Sequence, residues 1–443
     1  MEFPQDQELN VKKLISFTNL CDDELNIVLN YIPTMNIWPI RLLNKYYRDF
    51  IDNDFKLESY ICDRVNMEII NKYGEYLEKM YISGHDNLDD DSLKNLSNLK
   101  ILHVQSGEEI TDEGLKFIPN ILELNLGFNK HITDAGLRNI PKIRKLVLKH
   151  NDKITDKGLE YISNIRVLNL SRNRNITDDG LKHIPNILNL NLYMGLNITD
   201  NGLKYIPNIQ KLNMFGNEKI TDTGLSYISN IRELNMSFNR NITDDGLKHI
   251  PNAQKLKMNS SRNITNSGLK YIYNILHLNL EQSENITDDG LKYIPNILEL
   301  NLHHNTNITN MGLKHIRNIR TLSLYCNENI SDDGLEHIPN ILDLKLYCNN
   351  KITDMGLKHI PDIQKLDLSY NTNITDLGLS FISNIQNLGL YMNESVTDEG
   401  LKYIPNVQIL NLHNNKKVTT KGFDYMPKIK KLYLNHKEYI FSD

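Results

Sequence analysis

Residues 121–142 read Ile121-Leu122-Glu123-Leu124-Asn125-Leu126-Gly127-Phe128-Asn129-Lys130-His131-Ile132-Thr133-Asp134-Ala135-Gly136-Leu137-Arg138-Asn139-Ile140-Pro141-Lys142. Leu124 and Leu126 alternate with Glu123, Asn125 and Gly127, the period of two that gives a short strand one buried face. Asn129 is expected to turn inward. Its amide and carbonyl must then find partners among the free backbone groups where the chain leaves the strand. Thr133 and Asp134 are helix N-cap residue types, and Leu137 and Ile140 lie three apart on one helical face. Pro141 stops the helix, because the residue before a proline is pushed out of the α region. Strand, turn and short helix fill 22 residues.

That unit recurs. The glycine of Ile-Thr-Asp-x-Gly-Leu returns at 114, 136, 158, 180, 202, 224, 246, 268, 290, 312, 334, 356, 378, 400 and 422, always 22 residues apart. One step earlier, Ser92 marks a degenerate first copy in Leu88-Asp89-Asp90-Asp91-Ser92-Leu93. Copies therefore run from Leu77 to Lys428, with a last half-copy at Ile429, Leu432 and Leu434. Each buries about six large aliphatic side chains worth roughly 1.5 to 3 kcal/mol apiece, against roughly 1.5 kcal/mol of ordering cost per residue. A single copy cannot fold, so the copies must stack. The period resembles that of leucine-rich repeats. The resemblance implies an α/β solenoid of parallel strands on the concave side and short helices on the convex side. Between 253 and 283 several features of the unit drop out together: Ala253 replaces Ile, Ser261 and Ser283 replace the inward Asn, Asn266 replaces Asp and Tyr273 replaces Pro. Either this stretch opens first, or the changes are ordinary drift in a redundant array.

Composition excludes several classes. With 50 Lys+Arg against 55 Asp+Glu, the formal charge is -5, which offers no bulk attraction to nucleic acid or anionic membrane. No stretch approaches the ~18 apolar residues of a membrane helix, and Met1–Asn10 has no leader-like pattern. A soluble intracellular protein, cytoplasmic or nuclear, is expected. Four cysteines are too few for a disulfide scaffold. Eight Asn-Ile-Thr or Asn-Ile-Ser triplets, beginning at Asn175, Asn197, Asn241, Asn263, Asn285, Asn307, Asn329 and Asn373, then read as turn residues rather than glycosylation sites. No phosphate-binding loop, nucleophile elbow or His-Glu-x-x-His motif is present, and a non-catalytic protein without cofactors is expected. An unrecognised hydrolase or transferase site on the concave face is the remotest rival.

Before the repeats the periodicity is absent and the chain reads as helices. Leu20-Cys21-Asp22-Asp23-Glu24-Leu25-Asn26-Ile27-Val28-Leu29-Asn30-Tyr31-Ile32-Pro33, then Ile37 and Arg41-Leu42-Leu43-Asn44-Lys45-Tyr46-Tyr47-Arg48, resembles an F-box. Cys21 stands at the family's usual proline, and Trp38 precedes the usual tryptophan position. Followed by these repeats, the segment resembles the F-box/leucine-rich-repeat architecture. That resemblance implies a substrate-recognition subunit of a cullin-RING (SCF-type) ubiquitin ligase, a monomer within a hetero-complex. Leu20, Leu25, Val28, Leu29, Ile32, Pro33 and Ile37 would face the ligase adaptor, and the repeats would hold a protein substrate. The rival is a leucine-rich-repeat scaffold or inhibitor whose first segment only caps the array. The organisation expected is a flexible 1–14, an F-box-like region and cap over 15–76, repeats over 77–434 and a tail over 435–443.

Strand positions that point away from the core can be read from the register. They gather aromatic and large side chains in two sections, at Tyr193, Met194, Phe215 and Phe238, and at His303, His304, Tyr325, Tyr347, Tyr370, Tyr391, Met392 and His413. These are the candidate partner-binding residues, since exposed aromatic clusters make interface hot spots. Packing along their own ladder is the alternative use of such side chains. His304, Cys326 and Cys348 recur at one position in successive copies, but a straight ladder splays them and no metal site is expected.

Overall fold

The computed structural model describes residues 59–62, 67, 70–71, 74–82, 88–104, 107–325, 327–434 and 437–441. They belong to two compact units, residues 1–197 and 198–443. In the first, the strands Ser59–Cys62, Lys79–Ile82, Ile101–Val104, Glu123–Asn125, Lys145–Val147, Val167–Asn169 and Asn189–Asn191 pair in parallel in chain order. In the second, strands from Lys211–Asn213 to Lys431–Leu434 do the same. Lys437–Ile440, within the stretch read as a tail, closes that sheet as an antiparallel strand on Lys431–Leu434. The register follows the sequence period: Leu124 lies opposite Leu102 and Leu146.

The first segment departs from expectation. Ser59–Cys62 is a strand, not a helix, and pairs with Lys79–Ile82. Its Tyr60 and Ile61 favour extended backbone, and the first strand of the repeats otherwise presents unpaired amides and carbonyls. The seven adaptor-facing positions of the F-box resemblance, Leu20, Leu25, Val28, Leu29, Ile32, Pro33 and Ile37, lie outside the described residues.

Within a repeat the core is as the spacing predicts. Ile121, Leu124, Leu126, Ile132, Leu137 and Ile140 are fully buried, and their equivalents recur through both units. The inward asparagines form a ladder. Asn239 donates from Nδ2 to Asn217 O at 2.6 Å and Ile220 O at 2.9 Å, and its Oδ1 accepts from Asn241 N at 2.8 Å and Ile242 N at 3.1 Å. All four bonds satisfy backbone groups that would otherwise be buried unpaired. The asparagines that begin the Asn-Ile-Thr triplets build a second, outer ladder: Asn307 Nδ2 donates to Glu284 O and Asn329 Nδ2 to Thr306 O, each at 2.6 Å.

The helices are single turns such as Asp134–Arg138, entered through Thr133, whose side chain accepts from Ala135 N at 3.1 Å. The aspartate after each such threonine is not a cap for its own helix, as its residue type suggested. Asp134 Oδ1 accepts from Thr155 N at 2.8 Å and Oδ2 from Thr155 Oγ1 at 2.6 Å, in the next repeat. The same pairing joins Asp112 to Thr133, Asp222 to Thr243 and Asp376 to Thr397. The carboxylate thus orients the hydroxyl that caps the following helix. Where asparagine stands instead, the cap is lost. Asn266 Nδ2 donates to Thr287 Oγ1 at 2.8 Å, reversing the bond, and Thr287 makes no side-chain cap; Asn310 does the same to Ser331.

The irregular stretch keeps its strand pairing but loses these supports. Ala253 is buried where Ile stands elsewhere, and the buried Ser283 hydroxyl has no partner among the described residues. Amide hydrogens of residues 253–287 are expected to exchange faster than those of residues 205–250 in native-state exchange, and Asn266→Asp is expected to slow them by restoring the Thr287 cap, worth about 1 kcal/mol. Equal protection in the two stretches would refute this.

No helix among the described residues is long and apolar enough to cross a membrane.

Candidate binding face

Each strand ends in a turn that leaves the sheet just before the ladder asparagine. Among the described residues, eleven non-glycine residues hold that turn in the left-handed region, including Arg172, Met194, Phe238, His304, Tyr370 and Met392, with φ of 59° to 65°. Gly216 occupies the same place with φ 77°, so glycine would serve the backbone. A side-chain-bearing residue there costs about 1 kcal/mol. Part of that cost is offset by the turn amide, which donates to the next repeat: Tyr370 N to Tyr391 O at 2.8 Å and Met392 N to His413 O at 3.0 Å. The conformation swings these side chains outward, leaving Phe238 47 %, Met194 40 % and Met392 38 % exposed. Large groups kept at strained positions on one face mark it as a candidate site.

In residues 198–443 the second aromatic section is a continuous stack. His303 lies over His304 at 4.2 Å and edge-on to Tyr325 at 4.1 Å. Tyr325 and Tyr347 are parallel, 4.2 Å between centroids and 7° between planes. Tyr370 follows at 4.9 Å, Tyr391 at a further 5.0 Å and His413 at 6.2 Å. Tyr433, which the register count missed, ends the row 5.7 Å from His413. Tyr433 lies opposite Asn411 on the neighbouring strand, two residues before the position equivalent to His413, so the period did not point to it. Phe215 and Phe238 form a separate pair at 5.0 Å. In residues 1–197 the Arg172 guanidinium lies over Tyr193, 6.0 Å from the ring, with Met194 beside it. The candidates thus do pack along their own ladder, and they remain partly exposed while doing so.

The phenols of this row stand side by side, Tyr347 between Tyr325 and Tyr370, and Tyr391 beyond Tyr370. Burial first, and then the neighbouring Tyr370 and Tyr325 phenols, push the Tyr347 phenol above its ordinary value; the neighbouring Tyr370 phenol does the same for Tyr391. Tyr347 and Tyr391 therefore stay uncharged at physiological pH. At its other end a polar chain runs from Ser237 Oγ to Asn259 Oδ1 at 3.0 Å and from Asn259 Nδ2 to Glu281 Oε2 at 3.0 Å. Glu281 Oε1 meets His303 Nδ1 at 3.3 Å. Burial, then the neighbouring His304, hold His303 below its usual value against the pull of Glu281. A hydroxyl-edged aromatic strip beside a polar chain can bind and orient a partner.

Among the described residues no group of three His, Cys, Asp or Glu could hold a metal ion, and Cys326 lies outside them.

A family model described as "Leucine Rich repeat" matches residues 95–118, 119–140, 139–163, 161–184, 205–229, 227–250, 315–338 and 359–383. No F-box model matches the chain. No curated protein matches it in sequence. Solved structures do. The chain is similar to one described as "Crystal structure of TLR13-ssRNA13 complex", at TM-score 0.56 and 20% identity, over 87% of this chain and 64% of that one. It is also similar to the Leptospira interrogans LRR protein LIC12759, at TM-score 0.56 and 17% identity, over 83% of this chain and 99% of that one. At such identities the likeness is one of fold. Sequence match and fold agree that leucine-rich repeats are present in both units of this chain.

Proposed function

We propose that this chain is a non-catalytic receptor that binds a protein partner on the strand face of its repeats. The observation that carries this reading is the partly exposed aromatic row from His303 to Tyr433, broken by no charged side chain and edged with hydroxyls. Tyrosine gives large, rigid contact area at low entropic cost, which is why it concentrates at interface hot spots. Within residues 198–443, Phe215 and Phe238 would extend the contact, with Met392 and His413 flanking the main row; Tyr193 and Met194 would offer a contact of their own on the strand face of residues 1–197. A photo-reactive side chain at 347 is expected to cross-link a protein in cells, while the same group at the exposed helix-side Asp333 is expected to capture none. Equal capture from both places would refute the strand face as the binding surface.

The finer reading is a substrate receptor of an SCF-type ubiquitin ligase, working in the cytoplasm or nucleus. It is supported by the resemblance of residues 20–48 to an F-box and by their place ahead of the repeats. In that reading Leu20, Leu25, Val28, Leu29, Ile32, Pro33 and Ile37 dock on the adaptor, and the receptor raises the local concentration of its substrate at the ligase. The full chain is expected to pull down the adaptor, and a folded Leu25→Asp, Ile32→Asp variant is expected to lose it. No binding by the parent would leave a leucine-rich-repeat scaffold or inhibitor.

A further inference from the structure

Resting on that strand-face reading, we infer that the partner presents an extended acidic segment, held in a trough beside the first rungs of the aromatic row. The trough has a volume of about 270 Å³ and runs across the strands from Lys255 and Lys257 to Lys345, over Asn279, Asn301 and Ser323. It exists because residues 321 and 323 are small, while one step further along the same strands His303, Tyr325 and Tyr347 stand up as a wall.

Three lysines stand in its lining against one carboxylate, Glu299. Asn279 and Asn301 commit Oδ1 to Glu281 N at 3.0 Å and His303 N at 2.9 Å, which leaves their Nδ2 donors facing the trough. Of the nearby carboxylates, Glu281 is held by His303 and Asn259, while Glu299 lines the trough half exposed, 2.9 Å from His277. Three other strand lysines hold carboxylates, Lys145 with Glu123 at 3.1 Å, Lys211 with Glu233 at 2.6 Å and Lys431 with Glu438 at 2.5 Å. Lys255, Lys257 and Lys345 are exposed and form no ion pair among the described residues. A floor with asparagine donors between ammonium groups that form no ion pair is complementary to carboxylates and backbone carbonyls.

The spacing sets the register. Lys257 and Lys345 lie four strand steps apart, about 19 Å, which an extended peptide spans in about six residues. Two acidic groups at that separation would meet both ends while the intervening carbonyls meet the amide and hydroxyl donors. A nucleic acid is the poorer fit. The rings of Tyr325 and Tyr347, which wall the trough, already stack on each other, and the chain's net charge of -5 repels a polyanion.

The test uses the full chain and a fluorescein-labelled ten-residue peptide with an Asp-Glu pair at each end of a Gly/Ser/Tyr spacer, followed by anisotropy at physiological salt. Binding is expected in the parent. A loss of at least tenfold is expected in Lys257→Glu, Lys345→Glu, with a smaller loss in Lys257→Ala, Lys345→Ala, and none in the helix-side control Lys358→Glu. The charge-reversed lysine peptide is expected to prefer the Glu variant. All three variants alter exposed side chains, and circular dichroism verifies their fold. Equal binding by parent and Glu variant overturns the inference, as does tighter binding of a single-stranded RNA that the same variant abolishes. If position 347 still cross-links its protein partner at full yield in the Glu variant, the binding face stands and only the acidic segment falls.

Discussion

Gly158→Ala is expected to destabilise the first unit by about 3 kcal/mol in urea unfolding. A methyl group on Gly158 would sit 2.3 Å from Asp134 Oδ1 and 3.1 Å from its Cγ, where no carbon fits. The carboxylate must move, and both of its bonds to Thr155, at 2.8 and 2.6 Å, go with it. Charged hydrogen bonds of this kind are worth about 1.5 to 3 kcal/mol each. The double variant Asp134→Ala, Gly158→Ala should cost markedly less than the two single changes summed, because the first removes what the second collides with. Strict additivity, or a Gly158→Ala chain as stable as its parent, would show that the carboxylate does not sit on the glycine.

The second large effect belongs to the inner asparagines. Asn393→Ala is expected to cost about 3 to 4 kcal/mol, since it strands several buried backbone groups at once. Asn393 Nδ2 donates to Asn371 O and Ile374 O, each at 2.9 Å, and its Oδ1 accepts from Ser395 N at 2.9 Å and Val396 N at 3.0 Å. Asn393→Asp keeps the acceptor but removes the two donated bonds and buries a charge, so it should be no better tolerated. The measurement is the unfolding midpoint of residues 198–443 followed by exchange or fluorescence. A loss below about 1 kcal/mol would mean that water reaches these carbonyls.

The repeat itself was legible because its strongest signals are local. Leu124, Leu126 and Asn129 declare the strand and its exit by spacing alone, and the buried set follows from the period. The role of Asp134 was not legible. Aspartate after threonine satisfies a cap rule within its own repeat, and the partner that uses it, Thr155, is 21 residues away. Nor does the sequence announce the left-handed turn. His304, Tyr370 and Met392 stand where glycine would be the usual sign, so the cue was missing at the positions that aim side chains outward. The outward register placed Tyr325, Tyr347 and Tyr391 on one face correctly, yet whether such rings stack or splay depends on turn geometry that period counting does not carry. For the F-box resemblance, Leu25 and its companions fall outside the described residues, and adaptor binding has to be measured directly.

The aspartate–threonine link runs one way: a repeat that carries the aspartate orients the helix cap of its successor and receives nothing of that kind in return. Shortening the chain from its C-terminal end leaves every remaining cap intact, whereas trimming from the N-terminal side orphans the first threonine that remains. Excising a whole copy from the middle joins an aspartate to a threonine at the same offset, so no new interface has to be invented. Such a chain can gain or lose copies by duplication or deletion in its gene and stay folded each time. Its reach toward a partner is then adjustable in increments of one strand, about 4.8 Å.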